Sequence, residues 1–102
     1  MQTTAPHLHQ DEAKMAATFL RCMANEHRLQ ILCRLANGEM SVGELIEPFD
    51  LSASAFSQHL AVLRGQGLVT YRKQSQTLYY SISDPDTMTF IQQLKSKFCP
   101  DE

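Results

Sequence analysis

The chain has 102 residues, 43% of them hydrophobic, and a formal net charge of −2. This is enough for one modest core, and it excludes both a disordered chain and a polyanion binder working through bulk charge. No stretch reaches the roughly 20 apolar residues of a membrane span, and the first 14 residues lack the basic start and apolar run of a signal peptide. The expectation is a cytoplasmic protein of one domain over 1–102, with residues 1–10 as a flexible tail.

In chain order, Met15, Ala16, Phe19, Leu20 and Met23 repeat at i, i+1, i+4, i+5, i+8, one face of a helix over Asp11 to Met23. Asn25 is positioned to cap a second helix. That helix is apolar on most sides (Leu29, Ile31, Leu32, Cys33, Leu35, Ala36) and therefore central, ending at Asn37-Gly38. Ser41-Val-Gly-Glu44 matches a capping box for a short third helix, and Ser52 caps a fourth that stops near Gly65 to Gly67. Leu68 to Lys73 and Thr77 to Ile82 read as strands. Their connection, Gln74-Ser75-Gln76, lacks an Asn-Gly signature and predicts a loose tip. Asp84-Pro85 opens a last helix through Phe98. The order α-α-α-α-β-β-α predicts a mainly α fold with a two-stranded β-wing, a winged helix-turn-helix.

The fourth helix carries the functional signal. Phe56, Leu60 and Leu63 fall on one side at i, i+4, i+7, and Ser54, Ser57, Gln58 and Ala61 on another. A solvated face normally carries Glu and Lys, whereas this one has small hydroxyls, an amide and a methyl, which suit close approach to base edges. Gln58 matches an adenine edge, the serines match phosphate or bases, Ala61 matches a thymine methyl, and Arg64 matches a phosphate. His59 lies between the two faces. It joins the candidate DNA-binding residues, although local packing or a backbone bond is its simpler role. Arg72, Lys73 and Gln76 place cations and an amide on the wing, toward the adjacent minor groove. From Arg64 to Lys73 there are three cations and no acid, a local basic zone on an acidic chain.

The segments ANEHRLQIL (24–32), SVGEL (41–45) and LSASAFSQHLAVLRGQGLV (51–69), with TLYYSI (77–82), resemble the ArsR/SmtB family of repressors. The likeness runs from about Leu20 to Cys99. It implies a homodimer joined through the first and last helices, in agreement with the apolar faces at Met15 to Met23 and Met88 to Phe98. It also implies an inverted-repeat operator on double-stranded DNA, with the reading helices about 34 Å apart, and no enzymatic activity.

Family members commonly sense metals, but a site needs three or four converging ligands. The third helix lacks a Cys-x-Cys pair, and the last helix has no histidine. His7 and His9 are candidate ligands, with a mobile tail as the simpler account, so no metal or cofactor is expected, and a metal- or metalloid-responsive repressor is kept only as a further alternative. Cys33 and Cys99 instead resemble the cysteine pair of the HlyU/BigR/SqrR subgroup. That resemblance implies a dithiol sensor of reactive sulfur species or oxidants, which releases its operator when cross-linked. The alternative it leaves open is an activator that displaces another protein from a promoter. Cys22 matches neither position and reads as packing near the dimer interface.

Overall fold

The structure is a computed structural model and describes residues 7–99. The expected flexible tail falls partly on residues 1–6, outside the described residues. Five helices and three short strands follow in the order α1 (Gln10–Met23), α2 (Glu26–Leu35), β1 (Met40–Ser41), α3 (Val42–Ile46), α4 (Ala53–Gly65), β2 (Val69–Gln74), β3 (Thr77–Ile82) and α5 (Pro85–Phe98). The winged helix-turn-helix read from the sequence is the fold observed.

The caps fall where the sequence puts them. Asn25 Oδ1 accepts from the backbone N–H groups of His27 and Arg28 at 3.0 and 3.1 Å. Ser41 and Glu44 close the reciprocal box at 3.1 Å in each direction. Ser52 Oγ accepts from Ala55 N–H at 3.0 Å, and Asp84 from Thr87 N–H at 3.0 Å. Each such cap contributes about 1 kcal/mol, which matters most for the five-residue α3, too short to hold itself.

The core is built on α2. Ile31, Leu32 and Leu35 are buried, and Met23, Leu45, Phe56, Leu60, Leu63, Leu68 and Ile91 close around them from the other elements. Each large side chain so buried contributes about 1.5–3 kcal/mol. Phe56, Leu60 and Leu63 are the inward stripe predicted for α4, and their burial fixes which face α4 turns outward.

Two local expectations need correction. The wing is part of a three-stranded antiparallel sheet in the order β1-β3-β2, with Met40 opposite Tyr80 and Ser41 opposite Tyr79. A two-residue strand leaves no alternation to detect. Ser41 serves twice, because the extended conformation of a helix N-cap (φ −70°, ψ 156°) is also that of a strand. The wing tip is tight rather than loose. Gln74 pairs with Thr77, so only Ser75 and Gln76 make the turn. Ser75 takes φ +56°, the left-handed region that a glycine would have signalled.

Candidate nucleic-acid interface and thiol cavity

On α4, Ser54, Ser57, Gln58, Ala61 and Arg64 are all exposed, and on the wing so are Arg72, Lys73 and Gln76. The outward stripe follows from the buried one: a helix that anchors through Phe56, Leu60 and Leu63 presents Ser54, Ser57, Gln58 and Ala61 to solvent. Short side chains there let the helix approach within contact distance of base edges. Gln58 offers the donor–acceptor pair that matches adenine N7 and N6.

Three of the expected contacts are engaged within the protein. His59 is half-buried and points into the α2–α4 junction. Its Nδ1 lies 3.2 Å from Arg28 Nη1, and its ring centroid lies 5.5 Å from that of His27. Burial, and then the charges of Arg28 and His27, push its pKa below the ordinary histidine value. His59 therefore props α4 against α2 and is not presented to solvent with the outer stripe. Arg28, which the sequence reading did not single out, organises this junction, since its Nε also donates to the Cys22 carbonyl.

Arg64 donates from Nη1 to the Tyr80 hydroxyl at 2.7 Å and lies 5.5 Å from the Tyr71 ring centroid. A guanidinium has five N–H donors, so this anchoring fixes its position and leaves donors for a phosphate. Arg72 is more strongly held. Its Nε and Nη2 donate to the two Glu39 carboxylate oxygens, each at 2.8 Å, and its Nη1 donates to Gln74 Oε1 at 2.7 Å. The guanidinium stacks 4.6 Å from the Tyr79 ring centroid. Its hydrogen bonds hold the Glu39 carboxyl below the usual range. Glu39 escaped the sequence reading because it meets Arg72 only through the β1–β3 pairing, itself unread.

No disulfide joins the three cysteines. Cys22 is buried, with its Sγ 3.8 Å from the Val62 carbonyl oxygen, which accepts from it. Burial pushes its thiol pKa up, against a smaller downward pull from Arg28, which works against the thiolate form. Cys33 is half-buried on α2, and Cys99 is exposed at the C-cap of α5. These two line one cavity of about 470 Å³ between α2, α5 and the segment after α3. Among the described residues no three His, Cys, Asp or Glu side chains converge as metal ligands, and no helix is long and apolar enough to cross a membrane.

An exposed helix of small polar side chains, a short helix packed before it and a basic wing beside it define a DNA-binding regulator. Residues 25–71 match the family described as bacterial regulatory protein, arsR family. The transcriptional activator HlyU of Vibrio cholerae serotype O1 is 50% identical over 84 residues, 82% of this chain and 78% of that protein. The biofilm growth-associated repressor of Agrobacterium fabrum is 36% identical over 90 residues, 88% of this chain and 77% of that protein. The solved structure of HlyU from Vibrio cholerae N16961 superimposes with a TM-score of 0.84 at 46% identity, covering 89% of this chain and 99% of that one. The chain belongs to the ArsR family of transcriptional regulators, which bind DNA and are not enzymes.

Proposed function

We propose that this protein is a homodimeric, single-domain transcriptional repressor in the cytoplasm, which releases an inverted-repeat operator when Cys33 and Cys99 are cross-linked by reactive sulfur species or an oxidant. The observation that carries the reading is the shared cavity: two cysteines 66 residues apart in sequence (99 − 33) line the same space. They sit on elements with different duties. Cys33 belongs to the central helix that carries α4, and Cys99 ends the helix proposed as part of the dimer interface. A covalent link between them couples thiol oxidation to the relative placement of the two reading helices, the kind of two-state element a switch requires.

The chemistry balances with persulfide as oxidant. A cysteine thiolate takes the terminal sulfur of a persulfide and expels a thiolate. The second cysteine then displaces hydrosulfide from the first, which leaves a disulfide. When both cysteines carry an added sulfur, the terminal sulfur of one attacks the other and expels hydrosulfide, which leaves a trisulfide.

On the outer face, Ser54, Ser57, Gln58 and Ala61 read the major groove, Arg64 binds phosphate, and Arg72, Lys73 and Gln76 follow the wing to the next minor groove. Operator binding is measured before and after persulfide treatment in wild type, Cys33→Ser and Cys99→Ser. Treated wild type loses affinity and both variants keep it. Unchanged affinity in treated wild type, or a full response in either variant, sinks the dithiol switch.

A second reading concerns the sign of regulation. The relative matched at 50% identity is named an activator, and the same DNA-binding surface serves an activator that displaces another protein. Mapping the operator separates the two: overlap with the polymerase site supports repression, and overlap with another protein's site supports displacement.

A further inference from the structure

Arg64 stands in the last turn of α4, where the reading helix meets the wing. Its Nη1 donates to the Tyr80 hydroxyl at 2.7 Å, and its guanidinium carbon lies 5.5 Å from the Tyr71 ring centroid. The two tyrosines are register partners across β2 and β3, with ring centroids 5.3 Å apart. Side chains alternate along a strand. Tyr71 therefore shares its face of β2 with Lys73, and Arg72 takes the opposite face with Glu39 and Tyr79. Arg64, Tyr71 and Lys73 follow one another from α4 onto the wing.

Tyr80 is a rigid support for this row. It lies on the central strand, paired with Met40 on one side and Tyr71 on the other, and is 3% exposed. A buried phenol needs a hydrogen-bond partner, and Arg64 supplies it. The arginine gains in turn. An exposed arginine samples many rotamers, and ordering it on binding costs free energy. Here a hydroxyl and a ring face order it before DNA arrives. Both partners are uncharged, and no carboxylate pairs with Arg64 among the described residues, whereas Arg72 is matched by Glu39. Arg64 is held without being neutralised, with one of its five N–H donors in use.

Building on the reading of Arg64 as a phosphate contact, we propose that Tyr80 and Tyr71 are positioning residues, which hold the Arg64 guanidinium in place for one backbone phosphate at the boundary between α4 and the wing. Both act through Arg64.

The probe is a duplex selected from random sequence by the full-length wild-type protein. Fluorescence anisotropy at several salt concentrations compares wild type, Tyr80→Phe, Tyr71→Leu, Arg64→Ala and each tyrosine variant combined with Arg64→Ala. Tyr80→Phe keeps the ring and loses the hydroxyl. It is expected to weaken binding about fivefold for each half-site, the scale of ordering one long side chain, with the salt slope unchanged because the cation is still there. Arg64→Ala lowers the slope by about 0.9 for each half-site, the value of one phosphate contact. In that background Tyr80→Phe has no further effect.

Methylphosphonate substitution, which removes the charge of one phosphate at a time, gives a readout that loosened packing does not. One position penalises wild type and is silent in Arg64→Ala. Tyr80→Phe shrinks the penalty there and keeps it at the other phosphates. Tyr71→Leu, at a ring 44% exposed, carries the same comparison where Tyr80→Phe fails to fold. Wild-type affinity in the tyrosine variants, an equal loss with and without Arg64, or a smaller penalty at every phosphate overturns positioning and leaves Arg64 as a phosphate contact. An unchanged slope in Arg64→Ala, with no phosphate silenced, overturns the phosphate reading and this proposal with it.

Discussion

Glu39 and Arg72 form a two-pronged pair across 33 residues of sequence, both oxygens of the carboxylate meeting the guanidinium at 2.8 Å. The wing cation read as a DNA contact is thus already occupied by a carboxylate of similar geometry to a phosphate edge. Any phosphate that recruits Arg72 must compete with Glu39 or bind around it. Operator affinity is therefore expected to fall below what the count of wing cations implies.

Removing the competitor should show this. Glu39→Ala is expected to raise operator affinity about threefold, an exposed-pair effect. It should also steepen the dependence of log K on log salt by about 0.9, the value for one added phosphate contact. Fluorescence anisotropy at several salt concentrations measures both. A slope unchanged from wild type would show that Arg72 stays away from phosphate even when released.

The outer face of α4 should behave differently from the wing. Gln58→Ala is expected to cost about 1–3 kcal/mol of operator binding and to relax preference at one base position. Lys73→Ala should weaken all sequences alike and lower the salt slope by about 1. Competition binding against single-base operator variants distinguishes the two patterns. A uniform loss in Gln58→Ala would remove it from base readout.

How much of this was written in the sequence depends on the range of the interaction. The caps at Asn25, Ser41, Ser52 and Asp84 are local, each a side chain meeting an N–H two or three residues on, so spacing reveals them. The buried stripe of Phe56, Leu60 and Leu63 is periodic and equally plain, and it fixes the outward stripe by default. What escaped was non-local. Strand β1 has two residues and no pattern, and the Glu39–Arg72 pair depends on it. The tie from His59 to Arg28 spans 31 residues, and no periodicity within α4 discloses a partner on α2. Cys33 and Cys99 were singled out by resemblance. Their common cavity emerges only when α5 packs on α2.

The Arg28–His59 junction predicts a pH effect. The folded pKa of His59 lies below its unfolded value of about 6.5. Between the two values the unfolded chain binds more protons, so stability rises with pH in that window. The contribution is complete above the unfolded value and falls away as pH drops through it toward the folded pKa. Glu39 titrates elsewhere: its pair is complete above the ordinary carboxylate range and is lost only as pH falls through its lowered folded value. Thermal melts between pH 8 and 5.5 should therefore show a decline that His59→Gln reduces. A wild-type decline matched in full by His59→Gln would place the effect on another group.

The proposed dimer rests on apolar surface that one chain leaves open. Met15 is 67% exposed on α1 and Phe98 is 70% exposed on α5, and Leu20 and Phe90 extend the same two helices outward. Side chains of this size gain about 1.5–3 kcal/mol each on full burial, enough for a few of them to hold a dimer together. A charge placed among them costs far more than it contributes. Met15→Glu and Phe98→Glu are expected to yield folded monomers, since neither residue enters the core of its own chain. A monomer has one reading helix and contacts one half-site, so operator affinity should fall by at least 100-fold while binding loses its preference for the inverted repeat. Sedimentation velocity gives the mass and circular dichroism the fold. A dimer that survives both substitutions would move the interface away from α1 and α5, and with it the route by which a Cys33–Cys99 link reaches the DNA.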